Sequence, residues 1–329
     1  MISRYDLQVG YSCNNNCVHC FNRDRVESLN RGSCPLDKTF KEISEIFAEG
    51  RRLGMEEIVL TGGEPTIRPD FFKLLELAAF TFKKVRLQTN ARIFSSQDFA
   101  RKTLEISPGL HFLIPFHHTN SGCFDSITRV RGSHSQTLQG IKNLLTFGAK
   151  DVCLKRVLLK QNYADSENFV RLAKDLGANR LDFTFVEGGG NARINWFKLA
   201  PRYFEIESYI KRALELANRL GIPVSCYDIP FCFLQGYERH VSETYNYVMP
   251  YLRHEFPKRI AGEKEDIITA LVLARRKKAE QCKGCRFFKV CVGVWKEYLD
   301  SYGASEFKPV LGEPVDSLKR LNAAVGAFN

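Results

Sequence analysis

Residues 6–20 read Asp6-Leu7-Gln8-Val9-Gly10-Tyr11-Ser12-Cys13-Asn14-Asn15-Asn16-Cys17-Val18-His19-Cys20. The first five residues form a short strand, and three cysteines follow in one loop. Three thiolates this close can hold three corners of a 4Fe–4S cube and leave the fourth iron open to a ligand. A zinc ion would need His19 as its fourth ligand. His19 directly precedes Cys20, so all four side chains converge poorly. Ordinary structural cysteines are the bland alternative.

Working outward, strands alternate with helices. Residues 57–61, 85–89, 111–116, 152–159 and 181–186 read as strands. Residues 37–53 read as a helix, with Phe40, Ile43, Ile46 and Phe47 on one face and Gly54 as its stop. Further helices fall at 70–80, 97–106, 136–147, 164–176 and 201–220, the last three closed by Gly148, Gly177 and Gly221. Six strand–helix units predict an α/β fold: a parallel sheet curved into a partial (β/α)6 TIM barrel over residues 1–221. In such barrels the chemistry sits at the C-terminal ends of the strands. After Pro223 the rhythm breaks. Residues 222–329 read as a smaller C-terminal auxiliary-cluster region, with a charged helix expected at 264–278.

Eleven cysteines in 329 residues are many. The N-terminus lacks a signal peptide's apolar run, and no window reaches the roughly 20 apolar residues of a membrane span. These features predict a soluble, cytoplasmic protein with no membrane partner, where disulfides are not expected. Clustered cysteines then point to metal. Cys282, Cys285 and Cys291 form the second group, with CxxCx5C spacing. The net charge of +11 suits a basic solvated surface or an acidic partner. No RNA-binding aromatic run is present, so nucleic acid is not the expected partner.

CxxxCxxC after a first strand is similar to the signature of the radical S-adenosylmethionine (SAM) superfamily. Gly62-Gly63-Glu64-Pro65 at the end of the second strand resembles that family's second motif. The resemblance implies that Cys13, Cys17 and Cys20 hold a SAM-binding 4Fe–4S cluster and that His19 lies near the adenine. It implies that Gly62, Gly63, Glu64 and Pro65 meet the SAM amino group, with Glu64 as acceptor. Thr89 or Asn90, ending the third strand, would reach the ribose or the amino acid. Arg156 would pair with the SAM carboxylate or else form a structural ion pair. His117 and His118 end the fourth strand, and Glu187-Gly188-Gly189-Gly190-Asn191 ends the sixth. The glycines suit close approach to adenine or substrate, or a flexible turn.

The second cysteine group resembles the auxiliary-cluster regions of peptide-modifying radical SAM enzymes, called SPASM or twitch domains. Trp295 stands where the full SPASM pattern has a further cysteine. One auxiliary 4Fe–4S cluster is therefore expected, with Cys232 as fourth ligand and Cys226 as the alternative. Zinc remains a rival there.

The resemblance implies an enzyme that cleaves SAM to a 5′-deoxyadenosyl radical and removes hydrogen from a substrate. The favoured substrate is a ribosomally made precursor peptide, altered by crosslinking, epimerisation or splicease-type backbone excision. The chain starts almost at its first strand, so a separate leader-binding partner is expected, with flavodoxin or ferredoxin as electron donor. Alternatives are cofactor biosynthesis resembling the molybdopterin-precursor enzyme, RNA modification, and a non-enzymatic iron–sulfur electron carrier. The short x5 gap argues against the first, and the Gly-Gly-Glu-Pro turn against the last.

Overall fold

A computed structural model describes residues 4–243 and 274–325. Seven strands form one sheet in chain order. They are β1 (Arg4–Gly10), β2 (Glu57–Gly62), β3 (Lys84–Gln88), β4 (His111–Pro115), β5 (Asp151–Leu158), β6 (Arg180–Phe185) and β7 (Val224–Tyr227). Every neighbouring pair is parallel. Sequential parallel strands need helical crossovers, and these cover the outer face. The crossovers are α1 (Arg23–Arg31), α2 (Phe40–Arg52), α3 (Phe71–Thr81), α4 (Gln97–Ile106), α5 (Ser121–Thr128), α6 (Ser133–Thr146), α7 (Ser166–Leu176), α8 (Gly190–Ile194), α9 (Trp196–Leu199) and α10 (Tyr203–Leu220). This is the partial TIM barrel expected from the sequence.

Local chemistry sets the helix bounds. Thr39 caps α2 in a capping box: its hydroxyl accepts from the Glu42 amide, and the Glu42 carboxylate accepts from the Thr39 amide. Ile43 and Phe47 of α2 then reach the core. Gly177 and Gly221 close α7 and α10 in left-handed conformations.

The sheet has one strand more than the six expected. β7 is only four residues long, follows Pro223 and has no helix of its own after it. Its hydrophobic pattern was therefore too short to separate from the irregular segment that follows. A division after Gly221 thus assigns the edge strand to the C-terminal region.

β7 and β1 do not pair, so the barrel is open between them. The C-terminal region packs against this open side. It carries the antiparallel pair β8 (Arg276–Lys277) and β9 (Val294–Trp295), then α11 (Lys296–Tyr302) and α12 (Leu318–Val325). The helix expected at 264–278 lies outside the described residues up to position 273, and Arg276–Lys277 is a strand. Among the described residues no helix is long and apolar enough to cross a membrane.

Aromatic side chains weld the two parts. Phe185 stacks on Tyr203 with ring centres 4.3 Å apart, and Tyr203 meets Tyr298 at 4.6 Å. Buried Tyr298 also bridges: its hydroxyl accepts from the Tyr203 amide at 3.0 Å and donates to Glu306 at 2.5 Å. Tyr298→Ala is expected to cost about 3–5 kcal/mol by leaving a cavity. Tyr298→Phe keeps the ring but leaves the Tyr203 amide unpaired, at about 1–3 kcal/mol, while Glu306 keeps Arg202 and the Phe204 amide. Urea unfolding of both variants checks the order.

Candidate active site at the strand ends

The loop after β1 carries Cys13, Cys17 and Cys20, and four elements hold it in place. Asp37 accepts from the amides of Tyr11 at 2.9 Å and Ser12 at 3.0 Å. The turn after β2 closes onto the loop's other side: Gly63 N donates to Gly10 O and Glu64 N to Ser12 O, each at 2.8 Å. Both glycines are sterically required. A Cβ on Gly62 would lie 2.1 Å from Gly10 O, and one on Gly63 would lie 2.2 Å from Ser12 O. Asn16 N donates to Thr128 O and Val18 N to Ile127 O, from the end of α5. Beyond β6, Asn191 donates from its amide to Cys20 O at 3.0 Å and from its side chain to Cys17 O at 2.8 Å.

Glu64 is 3% exposed and is taken up by protein donors. Its Oε1 accepts from Thr66 N, Thr66 Oγ1 and Thr89 Oγ1, and its Oε2 from Asn90 N at 2.6 Å. Burial raises the carboxyl, while these donors oppose the shift. Asn90 Nδ2 donates to Asn14 Oδ1 at 2.6 Å, and Arg92 donates to Asn14 O and, at 2.9 Å, to Asn15 Oδ1. Glu64, Thr89 and Asn90 thus brace the loop.

His19 lies edge-on to His117, ring centres 4.9 Å apart. Burial pulls His19 down to about 4 and His117 well down. The shift favours the neutral ring in each, and Nδ1 of each is buried without a partner. His118 instead reaches Asp165 at 3.4 Å.

Of the two roles the sequence allows Arg156, pairing with the SAM carboxylate or a structural ion pair, the structure shows the ion pair. Arg156 is fully buried and pairs with Asp165 at 3.1 Å. It also donates to Asp165 O and Phe116 O and lies 4.2 Å from the centre of the Phe169 ring. On β5 it faces the helix layer, against Phe169 of α7, a face that the sequence does not separate from the lumen face. Only the position of Asp165 before α7 shows that its charge is spent on the core.

The donor set of the first loop fits an iron–sulfur cluster. Burial pushes the Cys13 thiol up to about 11 and also raises Cys17 and Cys20, whose charges oppose one another. Three thiolates on one loop need a cationic group between them, as irons supply.

The second group gathers in the C-terminal region. Cys232, Cys282, Cys285 and Cys291 line one enclosed, mainly apolar cavity. Burial raises the Cys232 thiol first, and the charges of Cys291, Cys282 and Cys285 add to it. Cys226, the alternative, is buried in β7, where Glu243 and Asp182 are its charged neighbours, and it does not line this cavity. Among the described residues no three His, Cys, Asp or Glu side chains converge on a single metal ion. Four sulfurs around one cavity fit a larger inorganic group.

Several contributors carry no motif. Asp37, Arg92 and Asn191 hold the loop, and Asn22 Nδ2 donates to Gly62 O at 2.7 Å. Asn22 stands two residues after the third cysteine, and Asn191 ends the Glu187–Asn191 run noted in the sequence; Asp37 and Arg92 are remote and gave no signal.

The Radical SAM superfamily model matches residues 7–173, just over half of the chain, and the protein belongs to that superfamily. It is an enzyme that depends on SAM and a 4Fe–4S cluster. Mycofactocin maturase MftC of Mycobacterium ulcerans is 26% identical over 194 residues, covering 59% of this chain and 50% of that protein. The chain thus spans about half the length of this relative. A probable GTP 3′,8-cyclase of Saccharolobus solfataricus is 27% identical over 220 residues, covering 64% and 68%. Among solved structures, Streptococcus suis SuiB bound to SAM shares the fold at TM-score 0.63 and 17% identity, over 94% of this chain and 76% of that one. SuiB has also been solved with its precursor peptide SuiA.

Iron analysis of anaerobic protein tests the second group. The wild type is expected to hold about eight irons per chain and Cys232→Ala about four, with Cys226→Ala unchanged.

Proposed function

We propose that this enzyme modifies a ribosomally made precursor peptide by radical hydrogen abstraction. The observation that carries the reading is the four-cysteine cavity beside the barrel's open edge, formed by Cys232, Cys282, Cys285 and Cys291. An auxiliary 4Fe–4S cluster held there suits a reaction that must move an electron as well as a hydrogen. Similarity to MftC, a maturase, and the fold shared with peptide-bound SuiB support it.

The cluster and SAM, when bound, supply the hydrogen-abstracting 5′-deoxyadenosyl chemistry. Cys13, Cys17 and Cys20 are the proposed cluster ligands. The Gly62–Gly63 backbone offers close approach for the amino acid end of SAM, and His19 forms an apolar wall for its adenine. Glu64, Thr89 and Asn90 keep these parts in register and keep water from the loop's inner face.

The proposed partners are an acidic leader segment, drawn to a chain of net charge +11, a separate leader-binding protein, and a flavodoxin or ferredoxin donor. Such oxygen-sensitive chemistry suits the reducing cytoplasm.

The cyclase relative favours a second reading, formation of a cofactor precursor from GTP. One experiment separates the two. Reduced enzyme with SAM is expected to form 5′-deoxyadenosine and to change the mass of the peptide encoded beside it, while leaving GTP intact. Consumption of GTP with no change in any such peptide would move the assignment to the cyclase class.

A further inference from the structure

A cavity of about 500 Å³ opens beside the cysteine loop. Gln8 and Tyr11 line it from the β1 side, Phe21 and Asn22 from the loop after Cys20, Glu187 and Gly188 from the end of β6, and Arg275 and Glu297 from the C-terminal region. It lies where the barrel's open side meets the residues next to Cys20. A substrate approaching the radical would enter there.

The wall is built to accept hydrogen bonds. Arg275 is part-exposed and paired on both sides: it meets Glu187, lies 3.1 Å from Glu297 and 5.1 Å from the centre of the Trp295 ring. Two carboxylates share its charge. Oε1 of Gln8 and Oε2 of Glu297 are buried without a hydrogen-bond partner. Unpaired buried acceptors are costly, so they mark a place where a donor binds. On this wall two carboxylates face one guanidinium, and Arg25 adds a positive charge at the rim. Burial raises the Glu187 carboxyl, Arg275 and Arg276 oppose the rise, and Asp228 adds to it. The remaining charges lie at the rim. Asp24 pairs there with Arg193 at 2.7 Å, and Arg25 is exposed.

The glycines after β6 serve the same construction. A Cβ on Gly188 would lie 2.7 Å from Glu297 Cβ, and one on Gly190 would lie 2.2 Å from Cys20 O. Gly188 therefore lets Glu297 close against β6, and Gly190 lets the same segment pack against the cysteine loop. The run of three glycines is a seam that fixes the carboxylate beside the reactive centre.

We infer that Gln8, Glu187 and Glu297 form a substrate subsite for a cationic side chain, an ammonium or guanidinium carried by the peptide. The inference rests on the peptide reading above. It makes Glu297 a specificity residue and Gln8 a neutral acceptor on the same ligand, with Arg275 holding the carboxylates in place.

The test uses anaerobic holoenzyme with SAM and labelled Gly/Ala peptides that differ only in a central Lys, Arg, Gln, norleucine or Glu. Fluorescence anisotropy is expected to show the Lys and Arg peptides binding about tenfold tighter than the other three. Glu297→Gln is expected to remove that preference. Gln8→Leu should weaken the Lys and Arg peptides by a smaller factor, and Arg25→Ala should keep the preference. Thermal melting and iron content show whether each variant is folded. Equal affinity across the series, Gln binding as well as Lys, preference for Glu, or a preference that survives Glu297→Gln in folded protein would overturn the inference. Selective binding with no encoded peptide modified leaves the subsite standing and removes the peptide function. Modified peptides with no binding preference do the reverse.

Discussion

The structure depends on two backbone hydrogen bonds, Gly63 N to Gly10 O and Glu64 N to Ser12 O. They join the end of β2 to the start of the cysteine loop. The approach is so close that a side chain at either Gly62 or Gly63 would collide with backbone oxygen. Close contact here turns an irregular loop into a rigid holder. Three thiols need that rigidity to act as joint ligands, because burial and the repulsion between their thiolates both favour the protonated form. The remaining ties, from Asp37, Asn90, Arg92 and Asn191, brace a loop whose position this pair of bonds sets.

A second constraint acts at the other edge of the sheet. The barrel stops after β7, so its lumen has an open side. The C-terminal region packs there, held by Tyr203, Tyr298 and Phe185. Two things follow from one packing event. Cys232, just past the edge strand, reaches the three cysteines of the last segment. Arg275 and Glu297 meet Glu187 and complete the wall of the cavity beside Cys20. The same interface thus builds the four-cysteine cavity and the wall of the cavity beside Cys20.

The sequence alone determined the fold class, the first cysteine loop and its partner turn. Those features are local: strand and helix periods, CxxxCxxC and Gly-Gly-Glu-Pro each lie within a short window, where spacing limits geometry. It also marked the second cysteine group. Tertiary structure decided the rest, because each remaining question concerned residues far apart in the chain. β7 became a strand only by pairing with β6, since four residues carry too little pattern to declare themselves. Cys232 rather than Cys226 joined the last cysteines because Cys226 is fixed in β7 with its thiol in the core. Of the two roles open to Arg156, the loop before α7 decided for the ion pair by bringing Asp165 to it. Thr89 and Asn90, one strand away, donate to the Glu64 oxygens, which no local pattern shows. A sequence states which groups are available; which of them are spent on one another is set by packing.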